Sequence, residues 1–171
     1  VAAGINRLSL GVQSFSDHSL QLLGRIHHKS DIYRAFDTAR DAGFYNINID
    51  LMHGLPDQTL SEGINDLNLA FELSPEHLSW YQLTIEPNTQ FYQSRPLLPE
   101  ENILDNLFEI GLSSLSSAGY QQYEVSAFAK PGLQAKHNLN YWKFGDYIGI
   151  GAGAHGKLST STGAVLRRWK K

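Results

Sequence analysis

Three long segments of the chain carry apolar residues three and four positions apart, which predicts three amphipathic helices. Their boundaries follow from ordinary start and stop signals. We place these at Ser30 and Gly43 for the first helix, at a Thr59–Glu62 capping box and Ser74–Pro75 for the second, and at Pro99 and Gly119 for the third. A shorter helical turn is expected over residues 17–23.

Between the helices lie segments with strand character, namely Arg7–Gln13, Asn46–Leu51, Ser79–Glu86 and Gln122–Phe128. Long helical connections favour βαβ units, because a parallel crossover needs about a dozen residues or more. The predicted fold class is therefore α/β with four successive parallel strands. Positions 13, 50 and 84, near three strand ends, are 37 and 34 residues apart, which is typical of the repeated units of a β/α barrel.

Each predicted strand has one apolar and one polar face, whereas a parallel strand buried on both sides is usually aliphatic throughout. The apolar sets are Leu8, Leu10 and Val12, then Ile47, Ile49 and Leu51, then Tyr81, Leu83 and Ile85, and finally Tyr123, Val125 and Ala127. Because unpaired polar groups inside a barrel are costly, the polar faces predict a lumen that holds a polar ligand. An antiparallel sheet with one face in water remains the alternative, which the helical connections disfavour.

Charge and composition narrow the possible functions. The 171 residues carry a formal net charge of −3 with a pI near 6.2, which argues against a nucleic-acid surface. No apolar stretch reaches the ~20 residues that span a bilayer, so we expect a cytoplasmic protein without a transmembrane segment. The absence of cysteine excludes disulfides and thiolate ligation of zinc or iron–sulfur clusters by this chain.

The start of the chain predicts that it is an N-terminally truncated fragment. It begins at Val1, runs directly into a strand-like pattern, and has its single methionine at Met52. Within it we predict two parts. Residues 1–120 hold the βα units, and residues 121–171 hold a further strand and a glycine-rich segment.

Polar residues stand near the carboxyl ends of the predicted strands, where ligands of such barrels bind. They are Gln13, Asp50, Thr84 and Glu86. Amide, carboxylate and hydroxyl groups suit a ligand with amino, carboxylate and ribose groups better than a bare metal or a phosphate. Arg25 follows the short helix and has the donor fork that binds a carboxylate. Purely structural roles remain open as the alternative to ligand binding. In them, Asp50 caps the following loop and Arg25 is a surface charge.

Six sequence blocks in a fixed order carry a family resemblance. They are GVQSF at Gly11–Phe15, LGR ending at Arg25, NIDLMHGLP at Asn48–Pro56, IEPNT at Ile85–Thr89, HNLNYW at His137–Trp142 and GDYIGIGAGAHG at Gly145–Gly156. From about residue 3 to residue 157 the chain resembles the radical S-adenosylmethionine family that contains oxygen-independent coproporphyrinogen III oxidases and the heme chaperones related to them. The last three blocks resemble the heme-chaperone branch.

This resemblance implies a partial parallel (β/α) barrel of the radical S-adenosylmethionine type, here its C-terminal portion, followed by a small mixed strand and loop segment. In the family, three cysteines ahead of the position of Gly11 hold a [4Fe–4S] cluster whose open iron binds S-adenosylmethionine. By motif match, Gln13, Arg25 and Asp50 would contact S-adenosylmethionine. Thr84 matches a further contact more loosely. No catalytic or metal-binding residue is implied in this chain.

The implied function is that of a heme chaperone, which binds heme and transfers it to an acceptor protein, with S-adenosylmethionine and the cluster in the full-length form. The alternative is an oxygen-independent coproporphyrinogen III oxidase, which decarboxylates two propionates in porphyrin biosynthesis, so whether the protein is an enzyme stays open. An ordinary barrel enzyme without a cluster is a third hypothesis.

Several histidines and glycines have competing interpretations. Gly151, Gly153 and Gly156 match the dinucleotide fingerprint, but the residues that follow predict strand and turn where that fingerprint needs a helix. The histidines at 27, 28 and 53 lack ligand spacing, and we interpret them as loop and surface residues. His137 is ambiguous, because an imidazole can ligate heme iron or simply hydrogen-bond the backbone.

Overall fold

Strands and helices alternate from residue 8 to residue 117 in a computed structural model of the chain. The structure describes residues 4–163 and 165–169, with residues 168 and 169 described by their backbone only. Its first unit extends to Leu133. The elements of this unit are β1 (Leu8–Gln13), α1 (Asp17–Leu22), α2 (Lys29–Asp41), β2 (Ile47–His53), α3 (Leu60–Leu73), β3 (His77–Gln82), α4 (Gln90–Gln93), α5 (Glu101–Ser117), β4 (Gln121–Glu124) and β5 (Ala127–Ala129).

The five strands form one sheet in the order β1-β2-β3-β5-β4. β1, β2 and β3 are parallel neighbours, and the helices α2 and α3 lie on the crossovers between them. The predicted α/β class is therefore confirmed. The predicted third strand is displaced, because the ladder runs over residues 77–82 and not 79–86.

The fourth predicted strand is wrong as a single parallel strand. Residues 121–129 form the hairpin β4–β5, in which β5 lies antiparallel to β3. The chain turns at Val125, whose side chain is 72% exposed, and Trp80 donates its backbone N–H to the carbonyl of Ser126 in that turn. The alternation of residues 122–128 is typical of one strand, but a two-residue turn interrupts it.

Local capping explains where the helices begin. The Thr59–Glu62 capping box of α3 is confirmed, with reciprocal hydrogen bonds between the two residues. The predicted start of α2 at Ser30 is wrong. The N-cap is His28, whose backbone N–H donates to the carboxylate of Asp31 at 2.9 Å, so Ser30 lies inside the first turn.

The core lies between the sheet and the helices α2, α3 and α5. Ile47, Ile49 and Leu51 of β2 are fully buried on the helix-facing side. Trp80 of β3 packs on the same side and stacks on Phe108 of α5 with ring centroids 6.1 Å apart. The close approach of α5 depends on Gly111, since a Cβ there would stand 2.1 Å from Cη2 of Trp80.

The second unit begins at Gln134 and contains α6 (Lys136–Trp142) and the hairpin of β6 (His155–Ser159) with β7 (Val165–Trp169). The predicted division lies between residues 120 and 121. In the structure, residues 121–129 belong to the sheet of the first unit, and the first unit therefore ends later, at Leu133.

The glycine-rich segment of the second unit forms turns followed by a strand. Gly151 and Gly153 have φ angles of 103° and 69°, and β6 follows them. Gly149 allows a close backbone approach, because a Cβ there would stand 2.0 Å from the carbonyl oxygen of His155. The dinucleotide fingerprint, which needs a helix at this point, is thereby excluded. None of the helices within residues 4–163 and 165–169 has the length and apolarity to span a bilayer.

Candidate functional site

Asp50 is held by hydrogen bonds on the polar face of the parallel strands. Ser9 on β1 donates its hydroxyl to Oδ2 of Asp50 at 3.0 Å, and Asn48 donates its amide to Oδ1 at 2.7 Å. Asp50 is half-buried and lies opposite the helix-facing residues Ile49 and Leu51, as the alternation predicts. Since a carboxylate has four lone-pair positions, two of those on Asp50 remain for a ligand.

Gln13 lies at the end of β1 and is buried, with 5% of its surface exposed. Its Oε1 accepts a 2.9 Å hydrogen bond from the phenol of Tyr81 on β3. Gly11 gives the Gln13 amide its space, because a Cβ at that position would stand 3.1 Å from Nε2. The backbone of Gln13 has a φ of 69°, a left-handed conformation that costs about 1–2 kcal/mol outside glycine. Contacts around the residue must therefore hold it.

The loop after Gln13 is clamped by a buried carboxylate from α3. Asp66 accepts hydrogen bonds from the hydroxyl of Ser14 at 2.7 Å and from the backbone N–H of Phe15 at 2.8 Å. Burial raises the pKa of Asp66 to about 6, against the opposing effect of these two bonds. The clamp fixes the residues that follow the strained Gln13.

Arg25 follows α1 and is exposed, with its backbone N–H bonded to Leu20. Its charge still reaches the site. The pKa of Tyr81 is raised, first by burial and then by the charge of Asp50, whereas Arg25 and the bond to Gln13 oppose this rise. Of the three predicted residues, Gln13 thus contacts Tyr81 directly, whereas Asp50 and Arg25 influence the pKa of Tyr81 through their charges.

Thr84 and Glu86 do not join this group as strand residues. Both lie beyond the end of β3 at Gln82 and are exposed, and the hydroxyl of Thr84 donates to Glu86 at 3.1 Å. The expectation that Thr84 stands at a strand end is wrong, because β3 begins and ends earlier than the pattern predicts.

Tyr81 and His77 are site residues that the sequence pattern misplaces or misses. The alternation predicts Tyr81 on the apolar face, yet it shares the polar face with Ser79, while Leu78 and Trp80 face the helices. Aromatic residues suit either face, so hydropathy alone does not determine the register. The register of the two strands, which pairs Asp50 with Ser79, places Tyr81 on the polar face.

The remaining histidines divide between surface and core. His28 is exposed and His27 is half-buried, with its Nε2 3.2 Å from the carbonyl oxygen of Val12. His53 contradicts the surface interpretation. It is 3% exposed, packs on Trp80 with centroids 4.2 Å apart, and its Nδ1 has no hydrogen-bond partner within the described residues. Burial lowers the pKa of His53 to about 4.

In the second unit, taken by itself, α6 presents an exposed group of aromatic residues. Tyr141 is 52% exposed and Trp142 is 58% exposed. His137 is also exposed and lies one helical turn before Tyr141, so the two share a helix face. A flat apolar ligand with a ligatable metal would match an imidazole and an aromatic ring on one helix face.

Residues 4–163 and 165–169 hold no group of three or more histidine, aspartate or glutamate side chains that could bind a metal ion. The chain also has no cysteine. Its own residues therefore match an organic polar ligand at Asp50 and do not match the ligand set of an iron–sulfur cluster.

Comparison with known proteins agrees with this geometry. The model of the radical SAM superfamily matches residues 1–70. The chain is 58% identical to the heme chaperone HemW of Escherichia coli, over 98% of the chain and 44% of that protein. It is 47% identical to the heme chaperone HemW of Bacillus subtilis, over 91% of the chain and 42% of that protein. The chain thus spans less than half the length of these relatives.

The solved structures include the coproporphyrinogen III oxidase HemN of Escherichia coli, described as a radical SAM enzyme. It superposes with a TM-score of 0.76 at 27% identity, over 91% of this chain and 39% of that one. The archaeal Elp3 of Methanocaldococcus infernus shares the fold at 22% identity and a TM-score of 0.55, over 63% of this chain and 26% of that one. Fold and relatives agree, so the predicted partial barrel is confirmed and the chain belongs to the radical S-adenosylmethionine superfamily, in the branch of the curated heme chaperones.

Proposed function

We propose that this chain supplies the S-adenosylmethionine contacts and the heme-handling segment of a heme chaperone. The observation that carries the proposal is the polar face of the parallel strands, on which Ser9 and Asn48 hold the carboxylate of Asp50 and Tyr81 holds the buried amide of Gln13. The identity of 58% with a heme chaperone over almost the whole chain supports the same function.

The residues of the site fit S-adenosylmethionine. Asp50 has two lone-pair positions left after its bonds to Ser9 and Asn48, and an ammonium or ribose hydroxyl can donate to them. Arg25 is exposed and offers a donor fork for the carboxylate of the cofactor. Gln13 holds a buried amide on the strand beside that of Asp50, oriented by Tyr81.

The chemistry that bound S-adenosylmethionine supplies in this superfamily is the formation of a radical at an iron–sulfur cluster. The role of the chain itself is to orient the cofactor. Asp50 and Arg25 bind opposite charges at separate points, which sets its direction, and the buried Gln13 excludes water from one side. Because no cysteine is present, the cluster is not held by residues of this chain.

Heme binding is proposed for the second unit, at the helix face of His137 and Tyr141. The exposed imidazole would ligate the iron, and the exposed ring of Tyr141 would pack on the porphyrin. An exposed site suits transfer, since an acceptor protein can reach heme that is not enclosed. We propose a cytoplasmic setting and a heme-acceptor protein as the partner.

The alternative function is that of a coproporphyrinogen III oxidase, favoured by the superposition on the Escherichia coli oxidase with a TM-score of 0.76. The two functions differ in outcome, because an oxidase releases carbon dioxide from coproporphyrinogen III and a chaperone does not. Turnover of that substrate by the reconstituted protein would select the oxidase.

A two-ligand comparison tests the proposal. In a chimera, the cysteine-bearing part of the Escherichia coli heme chaperone is joined ahead of this chain, and dissociation constants for S-adenosylmethionine and heme are measured. Asp50→Ala should weaken S-adenosylmethionine binding by roughly ten- to a hundredfold, because a charge-assisted hydrogen bond contributes about 1.5–3 kcal/mol. Heme binding should be unchanged within about twofold.

The reciprocal variant is His137→Ala, which should weaken heme binding and leave S-adenosylmethionine binding unchanged. Lys136→Ala is a matched control, since Lys136 is an exposed neighbour on α6 with no assigned contact. Equal losses of both ligands in Asp50→Ala and His137→Ala would show that the two sites are not separate and would refute the proposal.

A further inference from the structure

The hydrogen bonds of Asp50 continue inward to a fully buried histidine. Asn48 donates its amide to Asp50 Oδ1 and to the hydroxyl of Ser9, each at 2.7 Å. On its other side, Asn48 Oδ1 stands 2.5 Å from Nδ1 of His77 and accepts a longer hydrogen bond, of 3.2 Å, from the hydroxyl of Ser79. Nε2 of His77 stands 2.6 Å from the hydroxyl of Tyr123 on β4. Four strands thus contribute to one connected row.

The donor and the acceptor of each hydrogen bond in this row follow from the carboxylate of Asp50 at one end. A carboxylate only accepts, so the NH₂ group of Asn48 must face Asp50 and its carbonyl oxygen must face His77. A carbonyl oxygen also only accepts, and Nδ1 of His77 must therefore carry a proton. A neutral imidazole then presents a bare Nε2, which accepts from Tyr123.

Burial makes this arrangement rigid. His77 is 1% exposed and Asn48 is 2% exposed, so neither can exchange its partners for bulk water. If the His77 donor were lost, the carbonyl oxygen of Asn48 would keep only the longer bond from Ser79, and a half-turn of the amide would set that oxygen against the Asp50 carboxylate. Weaker pairing of a buried carbonyl and two facing acceptors are both unfavourable.

We propose that His77 is a positioning residue for the ligand-binding carboxylate. By donating from Nδ1, it fixes the amide orientation of Asn48 and so directs the free lone pairs of Asp50 toward the ligand. This inference rests on the proposed function of Asp50 in S-adenosylmethionine binding and assigns it two supporting residues. His77 is not a catalytic residue, because Asn48 separates it from the ligand.

Two variants of His77 separate positioning from packing, measured as dissociation constants for S-adenosylmethionine in the same chimera. His77→Asn places an amide nitrogen near the position of Nδ1 and keeps the donor, whereas His77→Phe fills the space and removes it. His77→Phe should bind about tenfold more weakly than the parent. His77→Asn should bind within about threefold of it, although the smaller side chain leaves a cavity and lowers the midpoint of urea unfolding.

A matched control exists in the other buried histidine. His53 is 3% exposed on the opposite, helix-facing side of the sheet and does not reach Asp50, so His53→Phe should leave the dissociation constant unchanged. Equal affinities in His77→Asn and His77→Phe would overturn the positioning role. If Asp50→Asn itself has no effect on S-adenosylmethionine, the proposed function of the site fails instead.

A second measurement needs no variant. Nitrogen-15 spectra of the ¹⁵N-labelled 171-residue chain distinguish protonated from bare imidazole nitrogens. We expect Nδ1 of His77 to be protonated at neutral pH. A bare Nδ1 would contradict the bond direction from which the proposal is derived, whatever the variants show.

Discussion

Tyr81 donates a hydrogen bond from its phenol to Oε1 of Gln13, 68 positions earlier in the chain, at a distance of 2.9 Å. The bond joins the ends of two strands that are not direct neighbours, since β2 lies between β1 and β3. It holds a residue with a left-handed backbone and a buried amide, on the strand beside that of Asp50. The proposed site therefore depends on a contact across the sheet.

Loss of the Tyr81 hydroxyl should weaken ligand binding more than it lowers the free energy of unfolding. In Tyr81→Phe the ring remains, but the buried Oε1 of Gln13 loses its donor at a cost of about 1 kcal/mol. We expect S-adenosylmethionine binding in the chimera to weaken by roughly three- to tenfold. Tyr45→Phe is the control, because Tyr45 is 80% exposed and should change neither affinity nor stability. Unchanged affinity in Tyr81→Phe would show that Gln13 is not oriented by this bond.

Gly111→Ala should destabilise the first unit by about 1–3 kcal/mol, because the added methyl group overlaps the Trp80 ring. Urea unfolding followed by tryptophan fluorescence measures the loss. Ser113→Ala, at an exposed position of the same helix, should be neutral or slightly stabilising. In the double variant with Trp80→Phe, the smaller ring should reduce the cost of the Gly111→Ala substitution, so additive losses would contradict the proposed overlap.

His53 should make the chain less stable in acid. Burial lowers its pKa to about 4, below the ordinary value of 6.5, so the unfolded chain binds more protons than the folded chain between these pH values. Stability contributed by the neutral ring is full above pH 6.5 and falls as the pH drops toward 4, by up to about 1.4 kcal/mol per pH unit. Denaturation midpoints of His53→Phe measured from about pH 4 to 7 should lack this dependence.

Asp66 should act in the opposite direction over nearly the same range. Burial raises its pKa from 3.8 to about 6, so the folded chain binds more protons between these values and stability falls as the pH rises through them. Asp66→Asn can keep a bond to Ser14 and one to Phe15 while removing the titration. Its stability should therefore rise more steeply from about pH 4 to 6 than that of the parent chain. A parallel pH dependence of the two proteins would contradict a raised pKa for Asp66.

Much of the fold could be predicted from local signals. The α3 capping box, the glycine after α2 and the proline before α5 are short-range features, and their energies do not depend on distant residues. The alternation of β2 placed Asp50 on the polar face correctly because its aliphatic side chains are unambiguous. Motif order identified the superfamily for the same reason, since it requires no tertiary information.

The rest depended on contacts between distant segments. The register of β3 is set by pairing with β2 and by the fit of Trp80 against Gly111, neither of which is visible in the hydropathy of residues 77–86. The hairpin β4–β5 forms because β5 pairs antiparallel with β3, which no local pattern requires. Sequence alone thus determined the fold class and the superfamily, and it proposed Gln13, Arg25 and Asp50 as site residues. Only the tertiary structure brought Tyr81 to Gln13 and His77 to Asn48, because side chains of mixed polarity take their face from strand pairing.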